Sequence, residues 1–220
     1  MRKLLRNISR MVKENLALIR STITYHKIKL FYPRVKLGQN VRFYGPIQLR
    51  ISGTATVHIG DNVTFRSSTS YNFVGINRPV SIYVGDQATL EIGHNCGFSG
   101  TAIFVTSSIH VGSYSNFGGN SSLWDTDFHP LDYRLRRVQL EGTRTSPIKI
   151  GEDVFIGANV LILKGVTIGP RSIVGAGSVV SKAIPADQIW AGNPAQFIRY
   201  IQSAPIDYNA NSSQLEVLPA

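Results

Sequence analysis

One cysteine, Cys96, stands in 220 residues, so no intrachain disulfide can form and a reducing compartment suits the chain. No apolar run is long enough to cross a bilayer. Arg6, Arg10 and Lys13 interrupt the apolar stretch that a secretory signal needs, so a cytoplasmic location is expected. Acid is nearly missing from residues 1–36, which hold ten Lys or Arg against Glu14 alone. The remainder has 13 basic and 12 acidic residues, so the net charge of +10 describes the N-terminal segment and not the whole chain. No base-reading motif accompanies that charge, which argues against nucleic acid as a partner.

Between Ile150 and Val180 neither helical nor alternating periodicity is present. Branched apolar residues recur every six positions instead, at Ile150, Ile156, Ile162, Ile168, Val174 and Val180. Gly follows four of them, at Gly151, Gly157, Gly169 and Gly175. Small or branched residues stand four places after the first five, at Val154, Val160, Val166, Ser172 and Ser178. A fixed six-residue repeat predicts a β-helix whose turns have three flats, with each apolar position stacked over the one below. One domain is then expected, because a coil buries its apolar face only against its neighbours.

The same grammar begins raggedly near Leu37 and continues through Leu37-Gly38, Ile59-Gly60, Val84-Gly85, Ile92-Gly93 and Val111-Gly112. Cys96 falls in the small-residue slot, which makes packing its expected role. Residues 66–80 break the spacing and predict an outward loop. A longer break, 124–147, interrupts an economical array, and such an insertion is more often functional than not. Residues 191–201 read as a turn followed by a short helix closing the last coil, and 203–220 as a mobile tail.

On a helical wheel, Leu4, Leu5, Ile8, Met11, Val12, Leu16, Leu18, Ile19 and Ile23 share one face of residues 4–23. Arg2, Lys3, Arg6, Arg10, Lys13 and Arg20 share the other. Residues 1–36 are therefore expected to form a basic amphipathic helical segment ahead of a solenoid spanning 37–201. Two readings stay open: residues 1–30 lie on an anionic membrane surface, or they dock on the solenoid or a partner subunit with their charges solvated.

The run Ile150–Val180, followed by Lys182, Ile184-Pro185 and Ala191-Gly192-Asn193-Pro194-Ala195, resembles the hexapeptide-repeat acyltransferases. The insertion Asp125-Thr126-Asp127-Phe128-His129-Pro130 is similar to that of their sugar and xenobiotic O-acetyltransferase branch, which includes galactoside, maltose and polysaccharide O-acetyltransferases. The likeness covers roughly residues 80–201 and more weakly 37–80. It implies an all-β solenoid, a left-handed parallel β-helix, assembled as a homotrimer. Acetyl-CoA would be a co-substrate held between subunits, with no metal.

The resemblance implies that His129 is the catalytic base. It is also the one histidine of the insertion, with Asp125, Asp127 and Asp132 nearby in sequence. An imidazole titrates near neutrality and can take the proton of an alcohol that attacks a thioester. Matching positions imply coenzyme A contacts at Phe155, Gly157, Ala158, Ala176, Ser181, Lys182 and Arg199, with a backbone N–H near Gly157–Ala158 for the oxyanion. Small residues at Ala158 and Ala176 let a pantetheine arm approach, and Lys182 and Arg199 can meet phosphate. Gln196 stands where many relatives carry a basic residue. On the acceptor side Ser99, Asn120, Trp124 and Asp127 are the candidates. Arg134, Arg136, Arg137 and Arg144 are either a solvated charge run or a site for an anionic acceptor.

The expected function is O-acetylation of a sugar, nucleotide-sugar or lipid-linked oligosaccharide hydroxyl in bacterial surface-polysaccharide or O-antigen assembly. N-acetylation of a nucleotide-linked amino sugar and a non-catalytic trimeric scaffold are the alternatives. The γ-type carbonic anhydrases share the fold, but the resemblance there requires two histidines five residues apart. His58, His94, His110 and His129 lack that spacing.

Overall fold

The computed structural model describes residues 2–202, with side chains described from Met11 onward. The expected tail, 203–220, lies outside the described residues, as do the side chains of Leu4, Leu5 and Ile8.

After helix α1 (Arg2–Phe31), the chain winds through coils of three short strands. The first coil is β1 (Val35–Leu37), β2 (Arg42–Tyr44) and β3 (Gln48–Ile51), and the second is β4 (Thr56–Ile59), β5 (Thr64–Arg66) and β6 (Ser81–Val84). The third is β7 (Thr89–Ile92), β8 (Gly97–Ser99) and β9 (Ala102–Val105), and the fourth β10 (Ser108–Val111), β11 (Asn116–Phe117) and β12 (Ser122–Trp124). An insertion bearing the short helix α2 (Tyr133–Arg136) then leaves the solenoid. Winding resumes with β13 (Ile148–Ile150), β14 (Phe155–Ile156) and β15 (Leu161–Leu163), then β16 (Thr167–Ile168), β17 (Ile173–Val174) and β18 (Val179–Val180). Strands β19 (Gln188–Ala191) and β20 (Gln196–Tyr200) finish the fold.

Corresponding strands of successive coils pair in parallel, which makes three sheets along a triangular prism. Sheet A runs β1-β4-β7-β10-β13-β16, sheet B runs from β2 to β20, and sheet C joins β3 to β18. The six-residue repeat is the cause. Ile150 lies on Ile168, Ile156 on Val174 and Ile162 on Val180, one pair in each sheet, and all six are buried. In the early coils aromatic residues fill one interior column. Phe43, Phe65, Phe98 and Phe117 stack at 5.4, 5.3 and 4.7 Å between ring centroids.

The corner between sheets A and B explains the Gly of the repeat. A Cβ on Gly112 would lie 2.5 Å from the backbone of Gly151, and one on Gly151 would lie 2.6 Å from Pro170. Two residues further on, the chain turns through the left-handed region at Asn40, Asn62 and Asn95, a conformation Asn tolerates. Their side-chain amides bond in a ladder at 2.8 and 3.0 Å.

The small-residue slots are buried as the spacing predicts: Ala88, Cys96, Ser115, Ser172 and Ser178 all face inward. Ser115 and Ser172 satisfy their hydroxyls by donating to the Gly151 and Pro185 carbonyls, at 2.9 and 2.7 Å.

Two parts of the sequence reading need correction. Residues 196–200 form no helix; they fold back as β20, antiparallel to β19. The physical reason is that the last rung would otherwise leave its edge N–H and C=O groups unpaired. The alternation of Gln-Phe-Ile-Arg-Tyr suits a strand, and Phe197 meets Trp190 edge-on. Helix α1 does dock on the solenoid, but by an unexpected side. Among its described side chains Ala17, Ser21 and Ile28 are buried, whereas Met11, Val12, Leu16, Leu18, Ile19 and Ile23 are exposed. Ser21 Oγ accepts the Phe43 N–H at 2.8 Å, and the Tyr25 hydroxyl donates to the Gly38 carbonyl at 3.1 Å. Small residues let the helix backbone approach the first coil, which bulkier apolar residues would prevent.

Burial pushes the Cys96 thiol up to about 11, outweighing the Ser115 and Tyr114 backbone contacts that lower it. At about pH 8.5 a free thiol is half ionised, whereas this one stays protonated while the chain is folded. Iodoacetamide should therefore leave the native protein unmodified at that pH and label it once denatured, as read by intact mass.

Candidate active site

The insertion leaves the corner between sheets C and A, after β12, and its neck is tied. Asp125, 0% exposed, occupies the next inward position after Leu123. Its carboxylate accepts the Thr106 N–H (2.8 Å), the Thr106 hydroxyl (2.9 Å) and the Ser107 N–H (2.7 Å). Burial holds the Asp125 carboxyl above its ordinary range, outweighing the three donors that act to lower it. Across the neck Ser146 N–H donates to the Asp125 carbonyl at 2.9 Å, and Thr126 bridges Thr145. Asp125 is thus an anchor and does not touch the histidine.

Above the neck, Asp127 is paired with Lys164, Oδ1 to Nζ at 2.8 Å. Phe128 adopts the left-handed conformation (φ 64°), and the His129 N–H folds back onto the Asp127 carbonyl at 2.7 Å. This tight turn throws the His129 imidazole outward, where it is exposed, while Pro130 is buried beneath it. Asp132 caps α2 and holds Arg134 at 2.8 Å, which pulls its carboxyl below the usual range. All three acids near His129 in sequence therefore have other partners. Arg137 lies over the Tyr133 ring at 5.1 Å, so two of the four loop arginines are spent within the loop.

Phe128 also completes an aromatic column on the outer face of sheet C. Arg50, Tyr83, Phe104 and Trp124 occupy one register position on successive coils. Tyr83 stacks on Phe104 at 4.2 Å, Phe104 meets Phe128 at 4.8 Å, and Trp124 sets its edge to Phe128 at 5.4 Å. Arg50 lies over Tyr83 at 6.0 Å. Beside this column is a groove of about 310 Å³ that also touches Gln48, Ser81 and Ala102. Of these residues only Trp124 was singled out from the sequence. The column becomes visible only when loops of unequal length are removed and the coils brought into phase.

The residues expected to hold coenzyme A fall on two edges of the prism. Ala158 and Ala176 share the corner between sheets B and C, stacked coil over coil, with Gly157 buried against the Ala176 backbone. The Gly157 N–H is engaged with the Val174 carbonyl at 2.8 Å, which leaves the Ala158 N–H as the amide suited to an oxyanion. Phe155 is exposed on the adjoining face of sheet B, and Arg199 lies on β20 at the end of that sheet. Ser181 and Lys182 follow β18, so they stand on the other edge, that of the His129 loop. Rungs are about 4.8 Å apart, which puts Lys182 roughly two rungs beyond the loop's exit.

Ser99 and Asn120 belong to the Ala158 edge. Ser99 accepts from Asn72 at 2.8 Å, and Asn120 bonds the Asn77 N–H (2.9 Å) and the Gly75 carbonyl (3.1 Å). Both therefore hold the 68–80 loop down on the corner. Arg78, not singled out from the sequence, clamps the same loop through the carbonyls of Gly100, Asn120 and Ser121 at 2.9, 2.6 and 2.9 Å. The loop ends one side of the small-residue corner, and at its tip Phe73 is 94% exposed.

Residues 147–182 match the bacterial transferase hexapeptide family (six repeats). Galactoside O-acetyltransferase of Escherichia coli (strain K12) is 42% identical over 89 residues, 40% of this chain and 42% of that one. A Schizosaccharomyces pombe protein named as an acetyltransferase is 41% identical over 110 residues, 50% of this chain and 49% of that one. The chain thus spans at most about half the length of these curated relatives. Among solved structures, a hexapeptide-repeat containing acetyltransferase of Vibrio cholerae O1 biovar eltor, complexed with acetyl coenzyme A, superposes with a TM-score of 0.55 at 26% identity, covering 91% of this chain and 89% of that one. A galactoside acetyltransferase in complex with coenzyme A gives 0.51 at 28% identity, covering 76% and 65%. The solenoid is a left-handed parallel β-helix, the fold of the hexapeptide-repeat acetyltransferases it resembles.

Replacing Asp125 with Ala should leave the Thr106 and Ser107 N–H groups buried without partners, at a cost of about 1–3 kcal/mol. Loosening is expected at the neck first. Limited proteolysis should cut within 126–145 faster than in the parent, ahead of any change in circular dichroism.

Proposed function

We propose that this chain is an acetyl-CoA-dependent O-acetyltransferase acting on a sugar hydroxyl, with His129 as general base. One observation carries the reading: a tied loop presents an open imidazole on one edge of a solenoid that resembles acetyltransferases crystallised with acetyl-CoA or CoA. Transfer is direct. His129 takes the hydroxyl proton as the oxygen attacks the thioester carbonyl, and the Ala158 N–H steadies the oxyanion. Collapse expels the coenzyme A thiolate, which recovers the proton from the imidazolium.

His129 and Ala158 stand on different edges of one prism, so a single copy does not bring them together. A head-to-tail contact between the His129 edge of one copy and the Ala158 edge of the next supplies both. Repeating such a contact around an axis closes a ring, and a homotrimer fits the triangular section. In that arrangement Ala158, Ala176 and Phe155 of one copy hold the acyl donor, with Ser181 and Lys182 contributed from the facing edge and Arg199 from the end of sheet B. Ser99 and Asn120 act by shaping that edge. The acceptor ring lies against the aromatic column of Tyr83, Phe104 and Trp124, where stacking suits a sugar; Asp127 and Lys164 bound its approach to His129. Arg50 at the far end favours an anionic substituent such as a phosphate. Surface-polysaccharide or O-antigen precursors, sugars joined to phosphate or lipid, have this chemistry and place the enzyme at the cytoplasmic side of a membrane.

His129→Ala and His129→Asn should each lower acetyl transfer by about 10²–10⁴-fold while acetyl-CoA binding and sedimentation remain those of the parent. Acetyl-CoA consumption would be assayed against a panel of sugars, sugar phosphates, nucleotide sugars and amino sugars. Undiminished turnover in both variants overturns the role of His129, and transfer confined to amino sugars overturns the hydroxyl acceptor.

A further inference from the structure

Helix α1 has two faces with different occupants, and the solenoid accounts for one. Ala17, Ser21 and Ile28 face the first coil, and Ile28 lines one small cavity with Leu37, Phe43 and Leu49, a residue from each of the three sheets. The helix therefore covers the open end of the prism. It is also longer than a cap requires. Thirty helical residues span about 45 Å, whereas one side of a six-residue flat is roughly 20 Å; α1 overhangs the end it closes.

On the opposite side Val12, Leu16, Ile19, Ile23 and Leu30 follow one another at helical spacing, with Met11 and Leu18 beside them. Each is between 42% and 74% exposed. Lys13, Arg20 and Lys27, seven residues apart, make a basic column along one margin of this strip, and all are exposed. The helix holds eight Lys or Arg and the single acid Glu14. Among the described residues no helix is long and apolar enough to cross a membrane.

We infer that α1 seats the protein on an anionic lipid surface, lying in the interface with its apolar strip among the acyl chains and its basic column at the phosphates. The charge selects this occupant over a second copy. Two helices packed strip to strip would join two segments of eight Lys or Arg with one acid each, whereas lipid phosphates supply the missing negative charge. Because α1 covers an end of the prism, its strip looks away along the solenoid axis. Copies related by an axis in that direction would present their strips to one plane. This inference stands apart from the acetyl-transfer reading, since it uses no residue of the His129 or Ala158 edges.

The test is co-sedimentation of the full chain with vesicles of phosphatidylglycerol and phosphatidylcholine, compared with phosphatidylcholine alone. Binding is expected to the anionic vesicles only, weakening as salt rises. The paired changes Ile19→Glu with Ile23→Glu, and Arg20→Glu with Lys27→Glu, alter exposed residues and should each reduce binding at least about tenfold. Melting temperature, sedimentation coefficient without vesicles and acetyl transfer to a soluble sugar should stay at parental values. The inference is overturned if the parent ignores anionic vesicles or if the Ile19 and Ile23 variant still binds them. A change in its sedimentation coefficient overturns it too, because the strip is then an interface between copies. A parent that binds vesicles but transfers no acetyl group leaves this inference standing and removes the enzymatic one.

Discussion

The structure depends on one constraint: every coil must return in register so that its strands can bond the coil below. Parallel rungs leave no freedom within a flat, because a shift of one residue would turn the buried Ile156 outward and expose a backbone edge. Extra residues can therefore be accommodated only at corners, and both long excursions leave there. Each is tied where it leaves. Ser67 Oγ accepts the Val80 N–H across the neck of one, and the Asp125 carbonyl accepts the Ser146 N–H across the neck of the other. Loops of unequal length thus hang on a scaffold that does not change beneath them.

That constraint also assigns chemistry to edges. A corner with Gly157, Ala158 and Ala176 stacked along it is narrow and backbone-lined, suited to a long flexible ligand. The corner that releases the His129 loop also carries Lys164, held by Asp127, and Lys182 on a later coil. A straight prism keeps its edges apart, and no bending of the solenoid unites them within one chain. Under the proposed mechanism, joining these two edges calls for a neighbouring copy.

A solenoid has two open ends, and this chain closes them differently. At the C-terminal end β20 folds back along β19 and satisfies the last rung with backbone. At the N-terminal end α1 supplies side chains, Ile28 as a plug and Ser21 as an acceptor for the Phe43 N–H. The hairpin is economical, whereas the helix is longer than closure needs and holds most of the protein's excess positive charge.

The repeat made the solenoid, its interior columns and the two excursions legible before any coordinates, because six-residue periodicity is a property of neighbours in sequence. The tied loop that carries His129 was legible for a similar reason, being one contiguous break in the repeat. What sequence did not reveal involves residues from distant coils. The Tyr83–Phe104–Trp124 column joins positions about 20 residues apart on three coils, and Arg50 joins it from across the 68–80 loop. The pairing of Asp127 with Lys164 crosses the insertion. Amphipathicity identified α1 as a helix with an apolar side, but it could not say which side docks. Tertiary structure decided that, because close approach to the first coil favours the small side chains of Ala17 and Ser21 over the bulk of Leu16 and Ile19. Periodicity, set by local chain geometry, determined what this protein is built from; the distribution of its chemistry over separate edges and faces was decided only by winding the coils on one another.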